Sequence, residues 1–404
     1  MNNNDIARNA QRVGHARPAL CGHAHRAASG GRSHAAIAPT AGALMLAAAF
    51  ALPESAFAQA STVTIYGIID AGVLTQTHAP NGHALTRIET SGLRQSVIGF
   101  RGSEDMGNGM KTFFNLESHF DTDTGALHGT GDSPNSGTIL FRRQANVGME
   151  GSWGKIIVGR QYGPALLAHL DTEPRAFKEQ FSNLYAWAYN QFASTADPAT
   201  GINSNNDVGI FMKNAVQYRN NFGPVEAGIA YSFGEQAGSL ARNSIAALGL
   251  TYRGPVILSG SYMVMKDQTT GNSNVKHWGL GAAVPFGDFT FKGNFLNAKN
   301  ETAGGLETSN VNAWGIGTDW HWSQINTATL AYYDNKDRLH HDDATRNIVL
   351  SNDYAMSKRT TLYAQMAYVD AKAGATLKTS IVASGIPQAG AKTTLLNLGI
   401  NHTF

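Results

Sequence analysis

Few residues in this chain stand at spacings that could do chemistry. His340-His341-Asp342-Asp343 sets two imidazoles beside two carboxylates and could ligate a metal, yet it sits where a surface loop is expected, and a hydrated polar tip is the simpler reading. The chain carries no glycine-rich phosphate loop ending in Lys-Ser or Lys-Thr, no Gly-x-Ser-x-Gly nucleophile elbow and no His-Glu-x-x-His zinc signature. Its one cysteine, Cys21, lies near the start, so neither a disulfide framework nor a thiolate metal site is expected beyond it. One spacing does invite a reaction, performed on the chain and not by it. Ala56-Phe57-Ala58 places small residues where a signal peptidase reads them, with the cut between Ala58 and Gln59. Neither enzymatic activity nor a cofactor is expected.

The peptidase reading rests on what precedes it. Ala41-Gly-Ala-Leu-Met-Leu-Ala-Ala-Ala-Phe-Ala-Leu52 is an apolar run too short for a helical membrane span of about 20 residues, and Arg26 and Arg32 stand before it. Residues 1–58 are thus expected to be a secretory signal with an N-terminal extension, and an uncleaved anchor is the alternative. The stretch before Arg26 is long for a signal and reads as an extension without a fold or as a misassigned start. Those 58 residues hold five arginines against Asp5 and Glu54. Taking them from the 31 basic and 29 acidic residues of the whole chain leaves 26 and 27, a net charge of −1. So even a balance excludes a strongly basic nucleic-acid footprint, and a 42% hydrophobic content excludes a disordered tail protein. Only 15% of residues are charged, against roughly 25% in ordinary soluble domains, which calls for a special explanation.

The elements that must position any functional group follow from a period of two. Near the end, Leu396, Leu398, Ile400, His402 and Phe404 share one face while Leu395, Asn397, Gly399, Asn401 and Thr403 share the other. Phe289, Phe291 and Phe295 alternate with Thr290, Lys292 and Asn294 in the same way. Such runs predict sixteen strands, over 61–75, 85–102, 109–121, 138–150, 153–161, 210–221, 224–233, 243–253, 256–265, 274–284, 288–298, 310–320, 323–334, 346–356, 359–369 and 393–404. The connections alternate between tight turns, such as Gly151-Ser152 and Gly254-Pro255, and longer segments that reach 162–209 and 370–392. Alternating turns and loops are what an up-and-down transmembrane barrel requires, and strands that cross a bilayer must close on themselves, because an open edge would leave backbone groups unpaired in hydrocarbon. Aromatics at strand ends, namely Trp153, Phe222, Phe233, Tyr252, Phe286, Trp320, Trp322, Tyr332, Tyr333 and Tyr354, fit headgroup girdles. A secreted β-sandwich or β-solenoid also alternates and stays open as the competing fold.

From Ser61-Thr-Val-Thr-Ile-Tyr-Gly-Ile-Ile-Asp70 onward the chain resembles the general porins of β-proteobacteria. The resemblance continues through Ile98-Gly-Phe-Arg-Gly-Ser-Glu-Asp-Met-Gly107, Phe114-Asn-Leu-Glu-Ser118, Phe141-Arg-Arg-Gln-Ala-Asn-Val-Gly148, Val158-Gly-Arg-Gln161, Ser357-Lys-Arg-Thr360 and Gly399-Ile-Asn-His-Thr-Phe404. It implies an all-β fold: a 16-stranded antiparallel outer-membrane β-barrel over residues 59–404, assembled as a homotrimer. Each barrel would enclose a water-filled pore narrowed by a folded-in third loop at 162–209. Surroundings of outer-membrane lipid and lipopolysaccharide follow, and Phe404 with its alternating apolar neighbours resembles the signal read by the barrel-assembly machinery. The aromatics Phe177, Phe181, Tyr185, Trp187, Tyr189 and Phe192 need a surface to pack on, which the inner wall would supply; an extracellular lid is the alternative.

Family resemblance also nominates the pore-lining charges. Arg143 matches the arginine of the Phe-x-Arg motif, Arg160 that of Gly-Arg-Gln, and Glu117 the glutamate of the Leu-Glu motif. Where the family has arginine after Ser96 this chain has Val97, with Arg94 displaced upstream; at a further basic position it has Phe211, with Lys213 two residues on. Arg143 shares the parity of outward Ala145 unless a bulge or the strand end re-aims it, whereas Arg142 has the inward parity; for either, a solvated rim position is the alternative. Arg101 is expected on the inner wall, and Asp171, Glu173, Arg175, Lys178 and Glu179 on the loop opposite. The function expected is passive diffusion of small hydrophilic solutes and ions with a weak anion preference at most. A substrate-specific channel is the alternative, and a barrel hydrolase or adhesin a more distant one.

Overall fold

The computed structural model describes residues 62–127, 139–176, 178–188, 190, 192–193, 203–207, 210–379 and 388–404. The expected cleavage site at Ala58 and Gln59, and the loop aromatics Phe177 and Tyr189, lie outside the described residues. Within them one antiparallel sheet closes on itself. Its strands are β1 (Thr62–Gln76), β2 (Leu85–Thr90), β3 (Val97–Gly107), β4 (Met110–His119), β5 (Gln144–Gly151), β6 (Gly154–Tyr162), the two-residue β7 (Asn206–Asp207), β8 (Phe211–Phe222) and β9 (Val225–Ser232). They continue as β10 (Ile245–Arg253), β11 (Ile257–Lys266), β12 (Ser273–Phe286), β13 (Phe289–Glu301), β14 (Glu307–Ser323), β15 (Asn326–Asp337), β16 (Ala344–Ala355), β17 (Thr360–Ala371) and β18 (Lys392–Thr403). The first and last strands pair from Ile68 with Thr403 to Gln76 with Leu395, which closes the barrel. β2 and β3 share one span, because both pair with β1, and β7 is a short addition to β8; sixteen spans remain.

Period two becomes two faces. Val63, Ile65, Val147, Val158, Ile229, Leu280, Ile316 and Leu398 stand exposed on the outside, as side chains do whose solvent is hydrocarbon. At the short-turn rim the rings of Phe289 and Trp320 stack with centroids 5.9 Å apart, and Phe222, Phe286 and Tyr354 are exposed beside that rim. Tyr333 departs from the girdle expectation, since it is fully buried and points inward. Tight turns demand left-handed backbone, as at Asn108-Gly109 between β3 and β4, with φ of 53° and 75°.

Two departures from the expected strand pattern matter for the interior. The span predicted over 85–102 is broken at 91–96, where six residues leave the ladder and enter the barrel. Asp70 holds them there: its fully buried carboxylate accepts the backbone N–H groups of Gly92 at 2.8 Å, Leu93 at 3.0 Å and Arg94 at 3.1 Å. The inner wall also carries apolar side chains where a water-filled barrel would carry polar ones, among them Ala247, Met263, Met265, Leu296, Val311 and Ala313. The segment between β6 and β8 covers them with Leu184, Tyr185, Trp187 and Phe192. That exchange buries apolar surface on both partners at about 25 cal/mol per Å², which is what keeps the loop inside and not over the mouth.

Candidate pore-lining site

The folded-in loop runs around the inner wall and is tied to it along its length. It opens with the short helix α1 (Pro164–Leu167), beside β10, where a Cβ on Gly249 would lie 1.9 Å from the carbonyl oxygen of Pro164; only glycine permits that approach. His169 follows, its ring nitrogens 2.8 Å from both Ser259 Oγ and Ser261 Oγ on β11, and burial pushes its pKa down to about 4. Farther along, Tyr333 of β15 donates to Glu173, and the Arg175 guanidinium donates to Ser351 of β16 at 3.1 Å and to Gln365 of β17. At the far side the backbone N–H of Glu179 donates to the carbonyl of Leu93 at 2.9 Å and Gln95 donates to its carboxyl at 2.7 Å, joining the loop to the inward excursion. Burial pushes the Glu179 carboxyl up to about 8. The return leg includes α2 (Asn183–Ala188), where Asn183 donates to Asn335 and Trp187 Nε1 donates to the Asn297 carbonyl of β13 at 2.8 Å.

Charges meet in two groups. On the wall of β1, β3 to β6 and β8, the Arg143 guanidinium pairs with Glu117 and donates to the Tyr162 hydroxyl, and Tyr66 donates to the other Glu117 oxygen at 2.8 Å. Arg101 lies over the Tyr66 ring at 5.0 Å, while Arg143 and Arg160 lie 5.5 and 5.7 Å from the centre of the Phe211 ring. Arg101, Glu117, Arg143 and Arg160 thus gather on one wall, and Arg142 adjoins them through its main chain, whose carbonyl accepts from Arg160 Nε. The strand end decides the Arg143 parity question: β5 begins at Gln144, one residue later, and Arg143 turns to Glu117. Facing this group from the other side of the ring of strands are Lys292 with Asp319 at 2.6 Å and Lys178 with Asp353 at 3.0 Å.

The remaining sequence-nominated residues lie elsewhere. Asp171 pairs with Arg253 of β10 at 2.8 Å, and Arg253 also reaches Glu226. Lys213 stands at the bulge where β8 leaves register with β6, beside Asn214 at φ 51°. Arg175 is wholly buried, so its work in this geometry is to fasten the loop rather than to face the lumen. Arg94 is exposed at the tip of the excursion. His340 contacts Asp337 at 2.9 Å and Asp343 accepts backbone N–H groups of Thr376 and Leu377; among the described residues no group of side chains is arranged to hold a metal ion. Asp70, which carries the excursion, escaped the sequence reading; a lone aspartate in an otherwise apolar strand was the signal available.

Residues 41–374 match the family model described as Gram-negative porin. The chain belongs to that family. It is 28% identical over 386 residues to outer membrane porin protein 32 of Delftia acidovorans, a match that covers 89% of this chain and 99% of the relative. A shorter stretch of 132 residues, 29% of this chain and 32% of the relative, is 36% identical to an outer membrane porin of Bordetella pertussis. Among solved structures, the anion-selective porin from Comamonas acidovorans superposes with a TM-score of 0.72 at 25% identity, over 85% of this chain and all of that one. An outer membrane protein of Vibrio cholerae in trimer form has the same fold, with a TM-score of 0.60 at 14% identity over 86% of this chain and all of that one. The protein is therefore an outer-membrane porin whose sixteen strands enclose a channel for passive diffusion. The open sandwich and solenoid readings are excluded by the closed sheet.

Proposed function

We propose that ion preference in this porin is set by the wall group of Arg101, Glu117, Arg142, Arg143 and Arg160, in which basic residues outnumber the carboxylate. The observation that carries the reading is the Arg143–Glu117 pair with Arg101 over the neighbouring Tyr66 ring and Arg160 sharing the Phe211 ring with Arg143, all on one side of the folded-in loop. Charges beside a low-dielectric wall act on passing ions through a field screened over about 8 Å at physiological salt, so the preference is for anions, weak, and clearest in dilute electrolyte. The name of the Comamonas relative, an anion-selective porin, supports the sign. Val97 and Phe211 stand where the family places further arginines, which supports the weakness. Zero-current potentials across a salt gradient test it. The double substitution Arg142→Gln and Arg143→Gln should move the potential toward cation preference, more at roughly 0.01 M salt than at 1 M; an unchanged potential at both would remove these arginines from the selective zone.

The same reading takes the working unit to be a homotrimer in outer-membrane lipid and lipopolysaccharide, inserted by the barrel-assembly machinery, with no enzymatic step and no cofactor. The trimer form of the Vibrio fold relative is in line with it. Residues 1–58 are removed on export, and N-terminal sequencing of the mature protein should begin at Gln59; a retained Met1 would contradict this.

A further inference from the structure

A second basic group lies apart from the arginine cluster. Between the loop tip and the rim of short turns is a cavity of about 390 Å³, bounded by Leu93 and Arg94 of the excursion, Ala176 and Lys178 of the loop, and Asp353, Lys358 and Arg359 at the ends of β16 and β17. Lys178 is matched by Asp353, 3.0 Å away. Arg94, Lys358 and Arg359 are exposed and have no carboxylate within ion-pair distance among the described residues. Three like charges around one cavity repel each other, and the one carboxylate in the lining, Asp353, is already paired with Lys178. The backbone at Arg94 is nevertheless fixed, because its N–H is held by Asp70, so this guanidinium is presented from a rigid base and not from a loose turn. Two forked guanidinium groups and an ammonium lining one cavity suit tetrahedral or planar oxyanions of more than one charge.

We propose that this cavity is a binding subsite for small polyvalent oxyanions, phosphates above all, on the side of the folded-in loop that faces the short-turn rim. The proposal rests on the chain being a conducting channel, and it adds a sidedness that the wall cluster does not supply. A bound polyanion narrows the path next to the loop, so chloride current should fall in a saturable way as the anion is added, and more strongly when it is added on the short-turn side.

The test is potassium chloride current through the full mature porin in a planar bilayer, with inorganic pyrophosphate added to one side at a time. Saturable block from the short-turn side, weakened about tenfold or more in Arg94→Gln with Arg359→Gln and retained in Lys336→Gln, an exposed lysine at the long-loop end of β15, is expected. A conducting channel that pyrophosphate leaves unaffected, or blocks equally from both sides and in both variants, overturns the proposal while the pore stands. Calorimetric titration of the detergent-folded protein with pyrophosphate gives an independent arm: heat of binding that the Arg94 and Arg359 substitutions abolish supports the site. Equal binding in their presence overturns it, whatever the bilayer shows.

Discussion

Asp70→Ala should free the inward excursion without opening the barrel. The Asp70 carboxylate accepts five hydrogen bonds, three from the backbone N–H groups of Gly92, Leu93 and Arg94, one from the Tyr363 hydroxyl at 2.8 Å and one from Asn401 Nδ2 at 2.9 Å. Each bond to a charged acceptor contributes about 1.5–3 kcal/mol net, and each buried donor left unmatched costs about 1–3 kcal/mol. These terms overlap and do not add, so the loss expected is that of a broken buried network, on the order of 3–5 kcal/mol. At about 1.4 kcal/mol per factor of ten, the undocked population rises by a factor between roughly 10² and 4 × 10³. Residues 91–96 feel it first, and the loop tip next, because Glu179 and Gln180 dock on the carbonyls of Leu93 and Gly92. The barrel ladder does not depend on this carboxylate. Amide hydrogen exchange at residues 92–94 should therefore lose protection while β10 to β15 keep theirs, and single-channel current should become noisier. Tyr363→Phe, which removes one donor and leaves the acceptor, should show a smaller change of the same kind. Wild-type exchange at 92–94 together with wild-type noise in Asp70→Ala would refute the reasoning.

Other outcomes follow from the same contacts. The Phe404 ring lies so close over Gly67 that a Cβ there would meet it at 2.3 Å, and the two backbones exchange hydrogen bonds of 3.0 and 3.2 Å; deleting Phe404 should lower barrel yield in the outer membrane, and normal yield would count against a role in assembly. His169 is docked as a neutral ring with its pKa near 4 against 6.5 when free. The loop's grip should thus be whole above pH 6.5, weaken by roughly 3 kcal/mol as pH falls to 4 and level off below. Glu179 acts with the opposite sign: with its carboxyl held up near 8 against 4.5, its contribution is whole below pH 4.5 and fades as pH rises toward 8. Exchange of loop amides against pH should show an acid limb that His169→Asn flattens and an alkaline limb that Glu179→Gln flattens; limbs that neither substitution touches would assign them to other groups.

Most of the barrel was legible because the two solvents on either side of each strand enforce the period of two. The strand expected over 393–404 is Lys392–Thr403, and that over 61–75 is Thr62–Gln76. What escaped was set by contacts distant in sequence. The break at 91–96 depends on Asp70, more than twenty residues earlier, and local pattern read straight through it. Tyr333 was placed in a girdle from its strand-end position, whereas its partner Glu173 in the loop draws it inward. The loop's footprint was in fact written in the sequence, as inward positions on β11, β13 and β14 that are apolar where the rest of the wall is polar. For the charged site, the motifs brought Arg143, Glu117 and Arg160 to one cluster, but residue type could not say that Arg175 would be spent on Ser351 and Gln365 and not on the lumen.

Planar-bilayer conductance of the purified mature chain tests the central claim most directly. A water-filled porin should give stable, stepwise increases in current as molecules insert, with closures in threes if the unit is a trimer, and a zero-current potential biased weakly to anions in dilute salt. Folded, membrane-inserted protein that passes no current would contradict the account.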